Sequence, residues 1–416
     1  MLSTTTPSSV LTRRGAILPL AAIALTALNL RTAVTGFSPL LDTIGRDLGF
    51  GESLFGVLGT IVTASFAVFG LLAPLVARRV GLEATVVVAT LLTTVGVVAR
   101  AMSTDAVGTV VSTVVAFAGV GTSNVIIVPL VKKYFPDRLK AVSSGYLALL
   151  QVGQFTAPLV AVPLAAAGGW QFAIGIWAAP LSAAVVLWFI FALRQGRSAP
   201  TNAPVDTTPT TGATADRPHR IAGAWKTTLL WSMVLMFGMT ALNTYAVLTW
   251  LPTIMSDAGA DPAASGSLLA LFSVFGLLAA FVVPPLTLRM TNPFPLVLLC
   301  VLLLAAGYAG LMLAPLQGAI VWVVLLGLGV STFPLCLTLV NARTRTPVGS
   351  STLSGAMQGL GYALACVGPL FIGLLYSATG SWTSSYVLLF ASLVVMLASG
   401  FMACRPRLLE DAVRVG

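Results

Sequence analysis

The sequence predicts an all-α polytopic membrane protein of twelve transmembrane helices. Three observations carry that prediction. Apolar runs of about 20 residues, the length that crosses a bilayer core, recur along the whole chain. Charged residues make up only 8% of the 416 positions, against about 25% in soluble domains. The 22 Lys and Arg residues fall mainly in alternate gaps between the runs, the bias that sets orientation in a membrane.

The runs lie at 16–37, 54–76, 83–101, 107–131, 141–166, 170–193, 227–250, 265–288, 294–314, 319–341, 351–377 and 382–404. The first follows Thr12-Arg13-Arg14, which loosely resembles a twin-arginine export signal. Its apolar stretch continues past Arg31 without a small-residue cleavage site, so it reads as an anchor. Arg78 and Arg79 follow the second span, and Lys132, Lys133, Arg138 and Lys140 follow the fourth. Arg194, Arg197, Arg217, Arg220 and Lys226 lie between the sixth and seventh. Arg289, Arg343, Arg345, Arg405, Arg407 and Arg414 complete this basic side, with Arg13 and Arg14. The other gaps hold Asp42, Arg46, Asp47, Glu52, Arg100, Asp105, Asp257 and Asp261. Both termini are therefore expected on the cytoplasmic side.

Residues 195–224 break the pattern, being rich in Ser, Thr, Pro and Ala without apolar periodicity. They read as a flexible cytoplasmic linker. The linker separates six helices at 16–194 from six at 225–404, with tails at 1–15 and 405–416. The net charge of +10 sits in short loops, so it reports orientation, and no nucleic-acid partner is expected. Cys300, Cys336, Cys366 and Cys404 lie in apolar runs without ligand spacing and read as packing residues; no metal or cofactor is expected.

The two halves resemble each other. Ala27-Leu28-Asn29, with Thr35 beyond it, recurs as Ala241-Leu242-Asn243 with Thr249, an offset of 214. Gly119-x-Gly121 recurs as Gly327-x-Gly329 at 208, and Gly168-Gly169-Trp170 as Gly380-Ser381-Trp382 at 212. Three matches in order imply a parallel repeat about an axis along the membrane normal, with substrate held at the midplane between halves.

Several segments carry a family resemblance: Leu28-Asn29-Leu30-Arg31-Thr32-Ala33-Val34-Thr35, Lys132-Lys133-Tyr134-Phe135-Pro136, Trp250-Leu251-Pro252 and Gln358-Gly359-Leu360-Gly361-Tyr362. In these the chain resembles the cyanate/nitroimidazole porter (CynX/NimT) branch of the major facilitator superfamily. The resemblance spans both halves and excludes the linker. It implies two pseudo-symmetric six-helix bundles and a secondary transporter in a bacterial plasma (inner) membrane, and it transfers no substrate. The loop after the second span lacks the aspartate usual in that superfamily, which puts the usual latch between halves in doubt.

Arg31 is the principal candidate site residue. Its guanidinium stays charged, and at the bilayer centre it costs roughly 2.5–3.5 kcal/mol on insertion scales. It either faces a central cavity and binds an anionic or polar substrate, or bonds carbonyls of a neighbouring helix. Thr35, one turn along, shares its face, whereas Asn29 points away and is expected to bond another helix. On the seventh span Asn243 and Trp250 share one stripe, and Tyr245 matches Arg31 by repeat position. Trp250 serves equally well as an interfacial anchor. Asn124, Tyr146, Gln151, Gln154, Gln358 and Tyr362 either line a cavity or bond across helices. Arg100, beside Asp105, reads as an interfacial anchor or ion pair. Gly355-x-x-x-Gly359 reads as close helix packing or a hinge.

The absences shape the expected mechanism. No Asp or Glu lies in the interior of an expected span, all twelve falling in loops or at span ends, and the single histidine, His219, is in the linker. Buried carboxylate or histidine relays are therefore not expected, nor is ATP drive, since no phosphate loop is present. An intramembrane enzyme lacks its usual acids and metal ligands, and a membrane sensor would usually add a soluble signalling domain. The sequence thus points to a carrier, acting as a monomer, for a small anionic or polar organic solute, with a proton as possible companion. Efflux of drugs or nitro compounds is the alternative.

Overall fold

The computed structural model describes residues 13–198 and 223–411. All but the edges of the expected 195–224 linker, and the ends of both tails, lie outside the described residues. The chain forms α1 (Arg13–Thr35), α2 (Leu41–Leu48), α3 (Glu52–Val80), α4 (Leu82–Ala101), α5 (Ala106–Tyr134), α6 (Leu139–Gly175) and α7 (Ala178–Ser198). Then follow α8 (Thr228–Asp257), α9 (Pro262–Arg289), α10 (Phe294–Leu313), α11 (Ala319–Gly329), α12 (Thr332–Ala342), α13 (Pro347–Ala365), α14 (Val367–Thr379) and α15 (Thr383–Ala403).

Among the described residues, eleven stretches are long and apolar enough to cross a membrane. One of them, Ala141–Arg194, has 54 residues, about 80 Å of helix at 1.5 Å per residue. A bilayer core is only about 30 Å thick. The helix breaks at Gly168 and at Gly169, whose φ of 81° lies in the left-handed region, where glycine is the residue that fits without strain. Divided there, the stretch holds two crossings, and the count reaches the expected twelve. The tenth and eleventh crossings are each built from two shorter helices, α11 with α12 and α13 with α14.

Helix ends are fixed by local chemistry. Asp105 accepts from the Gly108 amide at 2.6 Å to start α5, Asp261 accepts from Ala263 and Ala264 to start α9, and Thr346 accepts from Gly349 to start α13. Each side chain satisfies an amide that the helix leaves free. Within the spans, Thr26, Thr90, Thr93 and Thr240 donate to carbonyls one turn back, so their hydroxyls need no water.

The repeated glycines have one job in both bundles. A Cβ on Gly119 would sit 2.2 Å from the Ala89 carbonyl of α4, and one on Gly121 would sit 2.7 Å from the Ser65 carbonyl of α3. The counterparts Gly327 and Gly329 are less tight but still close, a Cβ on each falling 3.0 Å from the Phe272 carbonyl of α9 and the Cys300 carbonyl of α10. In each bundle the fourth crossing thus packs on the second and third at backbone distance, the mode that small residues allow in lipid.

The bundles meet mainly through α3 against α13 and α14, and through α6 against α9. At the end carrying Glu52 and Trp250 these contacts are tight. A Cβ on Gly56 would lie 2.7 Å from the Pro369 carbonyl, one on Gly59 2.5 Å from Thr249 Oγ1, and one on Gly266 2.7 Å from the Pro158 carbonyl. At the basic end the packing is loose. Gly145 of α6 and Gly355 of α13 face open space, and Gly359 makes only ordinary contact with Leu71. Of the two readings of Gly355-x-x-x-Gly359, close packing or a hinge, close packing is absent at the first glycine.

Candidate functional site

Arg31 on α1 and Tyr245 on α8 meet where the two bundles face each other. Arg31 Nη1 donates to the Tyr245 hydroxyl at 2.8 Å. The two positions are separated by 214 residues, the same offset as the repeat. Gly153 brings α6 against α1 beside them, where a Cβ would fall 2.0 Å from the Leu28 carbonyl. The guanidinium carbon lies 5.5 Å from the centre of the Phe66 ring, within the range at which a ring face attracts a cation. Phe66 of α3 stacks on Tyr362 of α13 at 5.5 Å, and Tyr245 closes the group at 6.2 Å from both rings. Phe237 of α8 adds an edge against Tyr362 at 5.2 Å.

This cluster satisfies Arg31 only in part. Its Nε is buried without an acceptor, and no carboxylate among the described residues pairs with it. Buried charges normally carry a partner. Arg31 has instead one phenol and one ring face, neither of which carries a formal negative charge.

One helical turn from Tyr362 along α13, Gln358 enters a cavity of about 760 Å³. Its walls are Pro74, Ala77 and Arg78 of α3, Leu82 of α4, Asn124 to Pro129 of α5 in part, and Ser354 and Gln358 of α13. Arg78 is exposed and has no hydrogen bond or ion pair among the described residues. The cavity is lined by a cation, two amides and a hydroxyl, with no acid. Gln358 Nε2 donates to Ser354 Oγ at 2.8 Å, which holds the amide against its own helix.

Of the sequence candidates, the structure gathers Arg31, Tyr245 and Tyr362 into one cluster and places Asn124 and Gln358 in the adjacent cavity. Gln154 is buried and Tyr146 and Gln151 are half-buried on α6; Gln151 Nε2 approaches Gly276 of α9. Thr35 is buried and donates back to the Arg31 carbonyl at 3.1 Å. Asn243 is buried with every bond inside the second bundle: it donates to Met239 and Ser392 and accepts from Tyr308, each at 2.8 Å. Trp250 is buried at the tight end, donating to the Pro369 carbonyl at 3.1 Å. Asn29 departs from expectation, because its amide bonds within α1, to Leu25 and Thr32. Arg100 also departs from it. Asp105 caps α5, while Arg100 is buried, donates to the Ala33 carbonyl at 3.1 Å and lies 4.4 Å from the Phe37 ring centre. Phe66 gave no signal in the sequence, being one of 20 phenylalanines without a polar atom.

The model of the Major Facilitator Superfamily matches residues 23–366. The 2-nitroimidazole transporter of Escherichia coli (strain K12) is 30% identical over 404 residues, covering 97% of this chain and 98% of that protein. The cyanate transport protein CynX of the same organism is 25% identical over 362 residues, covering 86% and 90%. The fold matches the crystal structure of a bacterial homologue of the human lysosomal transporter Spinster in an inward-facing, unoccupied conformation, with TM-score 0.70 and 16% identity over 96% of both chains. On these grounds, and on its twelve-helix repeat, the chain belongs to the major facilitator superfamily of transporters.

Proposed function

We propose that this transporter carries a small anionic or polar organic solute, with Arg31 as its binding centre. The observation that carries the reading is the uncompensated guanidinium at the meeting point of the bundles, bonded to Tyr245 and to no acid. Transport then follows by alternating access. The 16–194 and 225–404 bundles rock against each other, joined by the 195–224 linker, and the solute reaches Arg31 from either side in turn. The tight end at Glu52 and Trp250 and the looser basic end correspond to one of the two states. The basic end faces the cytoplasm of a bacterial inner membrane, with both termini on that side. An anion accompanied by a proton moves as a neutral pair, so Arg31 and the solute take the place of a carboxylate relay.

The names of the relatives fit this reading, since cyanate is a small anion and nitroimidazole a small polar ring. The aromatic group of Phe66, Tyr245, Tyr362 and Phe237 keeps a second reading open, export of flat drug-like or nitro compounds. The deciding experiment is uptake of labelled small anions, cyanate among them, by proteoliposomes. Arg31→Ala should abolish uptake while the protein remains monodisperse, and uptake equal to the parent protein would remove Arg31 from the site. Drug sensitisation of a deletion strain would favour export.

A further inference from the structure

The unoccupied donors of Arg31 narrow the chemistry of the solute. Nη1, on the Cδ side of the guanidinium, is taken by Tyr245. Nε and Nη2 share the opposite edge. Nε is buried with no acceptor; Nη2 makes no hydrogen bond either, but is not sealed off. Two parallel N–H groups on one edge match two oxygens carried by one planar atom. Flat surfaces surround the guanidinium, its carbon lying over the Phe66 ring and Tyr362 stacking on Phe66.

We propose that the Nε–Nη2 edge of Arg31 receives a planar two-oxygen head group, a carboxylate or a nitro group on a flat ring, while Tyr245 holds the other edge. This rests on Arg31 being the substrate centre. A linear anion such as cyanate satisfies one donor of the edge and leaves the other empty. A carboxamide presents an N–H₂ to one of the two donors and is repelled. Tyr245 is then a positioning residue, because its bond to Nη1 turns the free edge toward the solute.

The test is isothermal titration of the purified full-length protein in lipid nanodiscs with benzoate, benzamide and cyanate. Benzoate should bind at least tenfold more tightly than either of the others, and Arg31→Lys, which keeps the charge and loses the fork, should weaken benzoate at least tenfold. Cyanate or benzamide binding as tightly as benzoate, with the same dependence on Arg31, overturns the head-group assignment and leaves Arg31 as the centre. Benzoate binding unchanged in both Arg31→Lys and Arg31→Ala removes the centre itself. Failure of benzoate to bind the parent protein while cyanate binds overturns the head-group assignment.

Discussion

Gly59→Ala tests whether the tight end is a separable contact between bundles. The new methyl would stand 2.5 Å from Thr249 Oγ1, 2.7 Å from Thr249 Cγ2 and 2.9 Å from Pro369 Cβ. Carbon contacts settle at about 3.5–4.0 Å, so α3 must move away from α8 and α14 by roughly 1 Å. Overpacking of this kind costs about 1–3 kcal/mol. Inside one bundle that cost would fall on stability. Between bundles it is relieved by separation, which shifts the balance toward opening at this end by roughly 5–150-fold. Cys366 is a native reporter, because its Sγ accepts from Thr63 of α3 at 3.3 Å and it is half-buried, whereas Cys300, Cys336 and Cys404 are buried. The assay is the rate of maleimide labelling at each cysteine, followed by mass spectrometry. Cys366 should label faster in Gly59→Ala, the other three at unchanged rates, and Gly355→Ala, which faces open space, should behave as the parent. An unchanged Cys366 rate, or a common rise at all four cysteines, would refute the reasoning.

Three further perturbations follow. Tyr245→Phe removes the acceptor that fixes the guanidinium plane; a hydrogen bond to a charged group is worth about 1.5–3 kcal/mol, so solute affinity should fall by about that amount, and titration showing no loss would contradict the positioning role. Arg100 buries Nε and Nη1 without acceptors, so Arg100→Met should unfold at or above the parent temperature, whereas Arg100→Ala leaves a void beside Phe37 and should be about 2–5 kcal/mol less stable than the Met variant; thermal unfolding in detergent that ranks them the other way argues against this. Glu410 accepts from the Thr346 and Arg345 amides and the Thr346 hydroxyl; partial burial raises its pKa, but these bonds outweigh it and hold the carboxyl below its ordinary range. A depressed carboxylate pKa contributes stability above the unfolded value and loses it as pH falls through the folded one. The docked 409–411 segment should therefore resist proteolysis at pH 7, begin to lose protection below about pH 4.3, the ordinary glutamate value, and yield as pH falls through the lower folded value. Glu410→Gln should yield already at pH 7, and a pH-independent parent would exclude Glu410 as the clasp.

The crossings were legible because lipid imposes a length and forbids charge, two constraints that a linear sequence displays directly. The break at Gly168-Gly169 was legible too, because the apolar runs end at 166 and resume at 170; the close approaches at Gly119 and Gly327 were not, since these glycines showed in the sequence only as a repeat, and Gly355 faces open space. Of the candidate cluster, Arg31 and Tyr362 stood out as polar groups in apolar runs and Tyr245 through its match to Arg31 in the repeat. The partners of Asn243 were not legible, because they depend on which faces α10 and α15 turn toward α8, and apolar helices carry little periodicity to show it. Phe66 was invisible for the same reason, and the free edge of Arg31 is a matter of rotamer, which no spacing records.

The repeat is preserved at the periphery and broken at the centre. At the tight end, Trp170 donates to Asp47 at 2.7 Å and its counterpart Trp382 donates to Asp257 at 3.0 Å, so even the polar contacts are duplicated. Positions related by a two-fold axis can touch only if both lie beside that axis, and Arg31 touches Tyr245. The centre therefore sits on the axis, where a duplicated sequence would have placed two cations in contact or two phenols. Two guanidiniums there would repel, and two phenols would attract no anion. One of each gives a single oriented donor edge, held from the opposite bundle, so under the proposed function solute binding and the contact between bundles share one side chain. In the proposed alternating-access cycle, rocking of the bundles displaces groups beside the axis at the midplane least, because the pivot lies there. The walls at Gly59 and at Gly355 can then exchange their tightness while the bond to Arg31 is kept.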